Sequence, residues 1–536
     1  QNKNEHVTSN TSAISKGIKK VYQKKPSVNF SADDVVKSLK TINGFFDPIN
    51  GGLKGAPKFP MVPLLRSLFC ISMLKPYVGS LDVLKNIKNT VDCICLGGIY
   101  DHLEGGFSRY STDEFWLVPH FEKMLYDNAQ IIELLSLVFT FFPSKLYKRR
   151  VETTHAWLLS NMLSTKNNYH AYFSAIDADS DGREGEFYVW NYNEIVSVLG
   201  KDSKEFLENY GILEQGNWEG KNILHRINKG GEEDFVFEFS KKNLSLKESL
   251  LKKRGLKNKP FIDKKILTDC NSMLVCGFLR AYVAFGDVKF LYEAESVFGY
   301  IVNNHFLENR LYHSSCGGVV GADATIDDYA NFIKASFVFY ETTGDIKKLN
   351  FARKLLNIVK EQFYNNEIGD FSFANKNNKD LFLKTTNNMD NATQSGSGLM
   401  LENLIKEFYY FQKNENFGFI ESLLKNNWGS VCENPISHIG YVYAAHFWLS
   451  SHQFVALLKK DSFGKEIKRV LLKLGGLSVV GYFYEEGLIP KKSPAFGKKY
   501  IDNKSTLYVC VGSVCSNPIT NIEEFNLWMR ENMNMV

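Results

Sequence analysis

The sequence predicts an all-α protein: a closed toroid of helical hairpins with a few short strands and a small C-terminal extension. Three observations point there. Apolar residues recur at helical spacing along most of the chain. Short or Gly/Asp-rich connections join these stretches, as hairpins of helices require. Helix starts also echo one another. Asp127-Asn128-Ala129 and Asp328-Tyr329-Ala330 each lead into an apolar helix, and Asp269 to Asn271, ahead of Met273 and Leu274, is a weaker third copy. An Asp there satisfies orphan N–H groups and suits the positive end of the helix dipole. Repeated around a ring, such starts place acidic groups on one rim of the bore. The plain alternative is that they are ordinary N-caps.

The elements follow in order. Residues 1–28 are polar and Lys-rich, which predicts a linker or frayed tail. Asp33 and Asp34 open a helix with Val35, Val36, Leu39 and Ile42 on its apolar face. Gly and Pro punctuate 46–60 (FDPINGGLKGAPKFP), a long structured loop. Helical periodicity then marks 62–74, 83–96, 128–142 and 151–163, and again 267–284, 289–302, 329–341, 349–363, 398–411 and 439–457. Strand patterns are few: 185–190 (GEFYVW) is the clearest, with 371–373 and 507–511 behind it. The charged segment 226–260 reads as an exposed excursion. The barrel is expected over 29–460. Residues 461–536 form the extension, which ends on an amphipathic helix near 522–532.

Composition narrows the function. With 536 residues, 44% of them hydrophobic, the chain can bury a large core. The 41 Phe and 26 Tyr suit that core, or a cavity with flat aromatic walls. A net charge of +5 is small for this length, and no basic run with interleaved aromatics marks a nucleic-acid surface. No apolar run reaches transmembrane length and no signal pattern opens the chain, so no membrane partner is expected. The nine cysteines are scattered. Cys93/Cys95 and Cys510/Cys515 each lack a matching second pair, which argues against a zinc site and for reduced thiols in the cytoplasm. Neither a metal nor a cofactor is expected. The chain begins with Gln1, which predicts a fragment or a processed product.

Three clusters carry chemistry. The first is 97–130, GGIYDHLEGGFSRYSTDEFWLVPHFEKMLYDNAQ. Gly97-Gly98 and Gly105-Gly106 let the backbone bend closely around His102, Glu104 and Arg109. A helix over 119–130 places His120 and Lys123 on one face, with Lys123 and Asp127 as an i,i+4 pair. Arg109 either clamps an anionic group or bridges to Asp113. The second is 174–190, SAIDADSDGREGEFYVW. It imitates a calcium loop, but Tyr188 stands where an EF-hand needs a bidentate carboxylate, so that reading fails. Asp177, Asp179, Glu184 and Glu186 remain as acid/base candidates, or as a solvated acidic hairpin. The third is 321–331, GADATIDDYAN, where one of Asp327 and Asp328 caps and the other faces the bore. His313, His438 and His446 read as core histidines rather than bases.

These motifs resemble a known family. GGLKGAPKFP (51–60), the 97–130 stretch, DADSDGREGEFYVW (177–190), GNWEGKNIL (216–224), IDDYA (326–330) and YVCVGSVCSNPIT (508–520) are similar to the thioredoxin-domain-containing family typified by spermatogenesis-associated protein 20. The resemblance covers about residues 30–525. It implies an (α/α)6 toroid of the six-hairpin glycosidase and N-acylglucosamine 2-epimerase type. It also implies a thioredoxin-like domain ahead of residue 1 as a possible partner. The sequence departs from the family's pattern at Lys264, Asp269, Cys270 and Ser272, and at Gln394, Ser397 and Gly398.

The expected function is therefore carbohydrate-active: binding or converting a small sugar-like ligand by acid/base chemistry. Epimerisation beside a carbonyl needs an acid and a base, for which His102 and His120 are placed. Hydrolysis needs two carboxylates, about 6.5–9.5 Å apart for inversion; Asp127, Asp177, Asp179 and Asp328 are its candidates. Arg109, Glu122, Asp179, Trp116 and Tyr329 are expected to contact the ligand. The alternatives are a non-catalytic ligand-binding or regulatory toroid, or a client-recognition module for the thioredoxin-like domain.

Overall fold

The computed structural model describes residues 26–74, 79–378, 385–411, 415–477, 479–485, 494–511 and 514–534 apart from Val28, with a few isolated positions before residue 18. The expected tail 1–28 lies almost wholly outside the described residues. The fold class is all-α, built of helical hairpins with mostly short strands. The chain divides into two compact units. One runs from Lys40 to Ala322 and takes back the last few residues from Asn532. The other comprises Asp323–Glu531 and the described residues up to Leu39.

In the Lys40–Ala322 unit three helical hairpins follow one another: Val62–Met73 with Ser80–Leu96, Leu125–Phe141 with Lys145–Asn161, and Thr268–Phe285 with Val288–Asn304. The first helix of each pair is buried on almost every side, as a central helix must be. Helix Leu125–Phe141 packs along Thr268–Phe285. Close approach is possible because Gly277 faces the backbone of Ala129, where a Cβ would stand 2.8 Å from its carbonyl oxygen. The second helices are amphipathic, and two of the three start on side-chain caps. Ser144 accepts from the Leu146 N–H and Asp287 from the Lys289 N–H.

The expected exposed excursion at 226–260 is instead folded into this unit. Helices Glu232–Glu238 and Lys241–Arg254 cover a core that includes Trp190, Phe206, Tyr210 and Leu250. Three of its charges are buried and paired: Arg226 and Arg150 hold Glu238, and Arg254 holds Asp101 and Glu104, while most of its lysines stay at the surface. The predicted strand 185–190 is also corrected. Gly185 turns the chain (φ 74°), and its carbonyl accepts from the N–H groups of Tyr188 and Val189. The real hairpin lies just before it, Asp179–Ser180 against Arg183–Glu184.

In the Asp323–Glu531 unit, Ile326–Thr343 pairs with Ile346–Gln362 and Gly396–Phe411 with Asn416–Glu433. Thr343-Gly344-Asp345 repeats the device seen at Phe285-Gly286-Asp287: a left-handed Gly ends one helix and an Asp caps the next. The helix expected over 439–457 stops at Ser450. His452–Leu458 is instead the central strand of a four-stranded sheet, parallel to Val479–Glu485 and antiparallel to Thr506–Val511. A strand covered on both faces reads as an unbroken apolar run, which periodicity cannot separate from a buried helix. Cys510 and Cys515 sit opposite each other in register and are disulfide-bonded, so the expectation of reduced thiols fails at this pair. The terminal helix forms as expected, Ile522–Asn532. Among the described residues no helix is long and apolar enough to cross a membrane.

Candidate functional site

The glycine-rich stretch 97–124 folds as a doubled-back loop rather than a helix. The N–H of Arg109 donates to the Glu122 carbonyl (2.9 Å) and that of His120 to the Tyr110 carbonyl (3.0 Å). The chain then enters a small three-stranded sheet, Lys123–Met124, Ala175–Ile176 and Ile262–Asp263, before the helix opens at Leu125. The expected i,i+4 pair of Lys123 and Asp127 is therefore not made. Lys123 is fully buried against Asp101 (2.9 Å) and the Gly105 carbonyl (2.8 Å).

This loop brings Arg109, His120 and Glu122 together, and the acidic hairpin joins them. His120 Nε2 lies 3.9 Å from Glu122 Oε2, and Arg109 Nη1 lies 3.8 Å from the same oxygen. His120 Nδ1 meets Glu184 Oε1 at 2.7 Å. The hairpin reaches this far because Gly185 lies flat on Phe121, where a Cβ would come within 2.3 Å of the ring. The imidazole stacks on Tyr110 (4.8 Å), which stacks on Phe59 (4.6 Å). The side chains of Arg109 and His120 are 40% and 29% exposed, so a ligand can reach them.

Asp127 underlies this cluster. It is buried, it is not a helix cap, and its Oδ2 has no hydrogen-bond partner among the described residues. Burial pushes its carboxyl well above the usual range; the Arg109 charge opposes that and Glu122 adds to it. Burial thus favours its neutral form. Arg109 Nε is likewise buried without a partner among the described residues.

The other expected residues go elsewhere. Asp177 and Asp179 are exposed and bonded within the hairpin, Asp179 N–H to Asp177 Oδ1 at 3.2 Å; Glu184, not they, reaches His120. His102 is buried apart from the cluster. Its Nε2 sits 2.9 Å from the Gly97 carbonyl, its ring packs edge-on to Tyr100, and burial holds its pKa well below the ordinary value. Trp116, expected at a ligand, is fully buried: its indole donates to the Asn50 carbonyl (2.9 Å) and its ring covers Gly52. In the second unit, Asp328 is buried and closes a capping box with Thr325 (2.8 Å), while Tyr329 is buried against Phe363. These corrections share a cause. Residues that brace a tight loop or cap a buried helix are the same types that line a pocket.

Two residues that the sequence reading quoted beside an Asp, without giving them a role, explain how the site is held. Asn128 accepts from the Phe107 N–H (2.8 Å) and donates to the carbonyls of Phe107 and Met124. Asn271 does the same for Tyr172 and Leu267. Each pins a neighbouring loop to a helix start. The signal was the Asn shared by the Asp127-Asn128 and Cys270-Asn271 steps, not the Asp.

No family model matches the chain. It is 26% identical to an uncharacterised protein of Caenorhabditis elegans, over 92% of this chain and 73% of that one. It is also 26% identical to spermatogenesis-associated protein 20 of mouse and of human, over 67% of this chain. The chain spans about half the length of those two relatives, 51% in each case. Among solved structures it is similar to cellobiose 2-epimerase from Bacillus thermoamylovorans (TM-score 0.48, 10% identity, 77% of this chain and 98% of that one). It is similar as well to a GH76 alpha-mannanase from Bacteroides thetaiotaomicron (TM-score 0.45, 12% identity, 78% and 95%).

Proposed function

We propose that the chain binds or converts a sugar or sugar derivative by acid/base chemistry at the Arg109–His120–Glu122–Asp127 cluster. One observation carries this reading: the buried Asp127 carboxyl, its Oδ2 without a hydrogen-bond partner among the described residues, lies beneath an accessible imidazole anchored by a carboxylate. Glu184 fixes the ring through Nδ1 and leaves Nε2 to exchange a proton with the ligand. Asp127 supplies a neutral acid, and Arg109 binds a hydroxyl or an anionic oxygen. The stacked Phe59, Tyr110 and His120 add a rigid wall beside these groups.

The test is thermal unfolding of the protein against a panel of sugars and sugar phosphates. A specific ligand raises the apparent Tm by mass action. The reading expects at least one hit whose shift disappears in Arg109→Ala. A panel without hits, or a hit indifferent to Arg109, counts against it.

A further inference from the structure

A cavity of about 410 Å³ lies within the Asp323–Glu531 unit. The ends of helices Ile326–Thr343 and Ser462–Leu474 and the paired strands His452–Leu458 and Val479–Glu485 enclose it. Small-molecule sites occupy roughly 300–1,000 Å³, so the space suits a compact organic ligand. Its walls are aromatic and can be reached. Tyr340, Tyr410 and Tyr484 are half-buried, Phe483 is exposed, and Phe454 closes the floor. Tyr340 and Tyr410 meet edge to face (5.4 Å between ring centroids, 89° between planes), so the two rings form a corner.

The electrostatics of this corner favour positive charge. Both helices reach the cavity by their C-terminal ends, at Gly344 and Gly475. The carbonyls of a last helical turn carry the negative end of the helix dipole. Glu341 is the one carboxylate among the described lining residues. It accepts from Lys406 Nζ (2.8 Å) and from the Tyr410 hydroxyl (3.1 Å), so its charge is compensated in part. The Tyr340 phenol reports the sign of the local field: burial, then Tyr484 and Glu341, push it up to about 12. Lys468 is the one opposing charge among the described lining residues, and it is exposed at the rim. We infer that this cavity is a binding site for a small organic cation, an alkylated ammonium. Tyrosine faces attract such a cation, and Phe454, Leu458 and Leu471 give its methyl groups apolar contact. A metal ion would need six or so converging oxygen ligands instead. No residue of the His120 cluster lines the cavity, and the inference does not depend on that cluster's function.

Isothermal titration of the whole chain with choline, and with dimethylbutanol, its neutral isostere with carbon in place of nitrogen, tests this. Saturable one-to-one binding of choline is expected, about 5-fold or more tighter than that of the alcohol. Tyr340→Leu keeps bulk but removes the ring face, and should weaken choline binding by a similar factor. Lys468→Glu removes the opposing charge from the rim and should tighten it. If Tyr340→Leu does not fold, the exposed Lys468 and the neutral isostere still decide. No saturable binding of choline, equal binding of the alcohol, or weaker binding of choline in Lys468→Glu overturns the inference.

Discussion

His120 Nδ1 lies 2.7 Å from Glu184 Oε1, although 64 positions separate the two residues in the chain. The contact engages Nδ1, so in the proposed function Nε2 is the imidazole nitrogen that faces the ligand. Glu184 is half-exposed and touches little else, so Glu184→Ala should fold normally. It should lower turnover of any sugar found as substrate by roughly tenfold or more, while KM changes little. Steady-state kinetics separate the two terms. An unchanged kcat would remove Glu184 from the mechanism.

His120→Asn keeps approximate size and hydrogen bonding but cannot titrate. Its rate should fall by on the order of 10²–10⁴ with Tm almost unchanged. Equal activity would exclude an acid/base role. A collapse in Tm would instead make His120 a brace for the Glu184 hairpin.

Arg254 bonds Asp101 twice (3.1 and 3.0 Å) and Glu104 once (2.8 Å) while almost fully buried. Arg254→Met leaves those carboxylates under-compensated and should cost about 3–5 kcal/mol in urea unfolding. A loss below about 1 kcal/mol would show that the network contributes little beyond packing.

Burial holds His155, His225 and His305 at about 4 and His446 at about 3. Unfolded, they titrate near 6.5. Between pH 6.5 and 4 the unfolded chain therefore binds more protons, and stability falls as pH falls. Asp390, raised by burial to about 6, works the other way between its unfolded value and 6, as does Asp127. The histidines outnumber them, so Tm should drop from pH 6.5 to 4. His446→Gln should flatten the slope, and a Tm that climbs in that window would refute the assignment.

The Cys510–Cys515 bond closes a short loop, with a sequence separation of 5. On chain entropy alone its reduction should lower stability by about 2 kcal/mol. Calorimetry with and without reductant measures this. No change would mean that the pairing of Thr506–Val511 with Val514–Cys515 holds without the bond.

Local signals were legible in the sequence and distant ones were not. Arg109, His120 and Glu122 sit in one short stretch, and their grouping could be read there. Glu184 was named as an acid, but nothing in the sequence joined it to His120, because that contact depends on Gly185 lying on Phe121. The helices were read correctly where a polar face breaks the apolar stripe, as at Ile522–Asn532. The reading failed at His452–Leu458, where no polar face exists. It failed again at 226–260, where charge was taken for exposure. Composition records Arg226, Glu238 and Arg254 singly and cannot see that they are paired.

The small sheet behind His120 joins Lys123–Met124, Ala175–Ile176 and Ile262–Asp263, three segments remote from one another in sequence. Closing chain loops of that length costs entropy before any contact rewards it, so this seam is expected to form late on the folding route. A contact absent from the transition state acts on the unfolding rate and leaves the folding rate alone. Loosening the seam, for instance by Ala175→Gly, should therefore speed unfolding in stopped-flow experiments while refolding keeps its pace. The seam acts as a latch on lifetime: residues beside the candidate site can vary without slowing the search for the fold, at the cost of how long the site stays assembled.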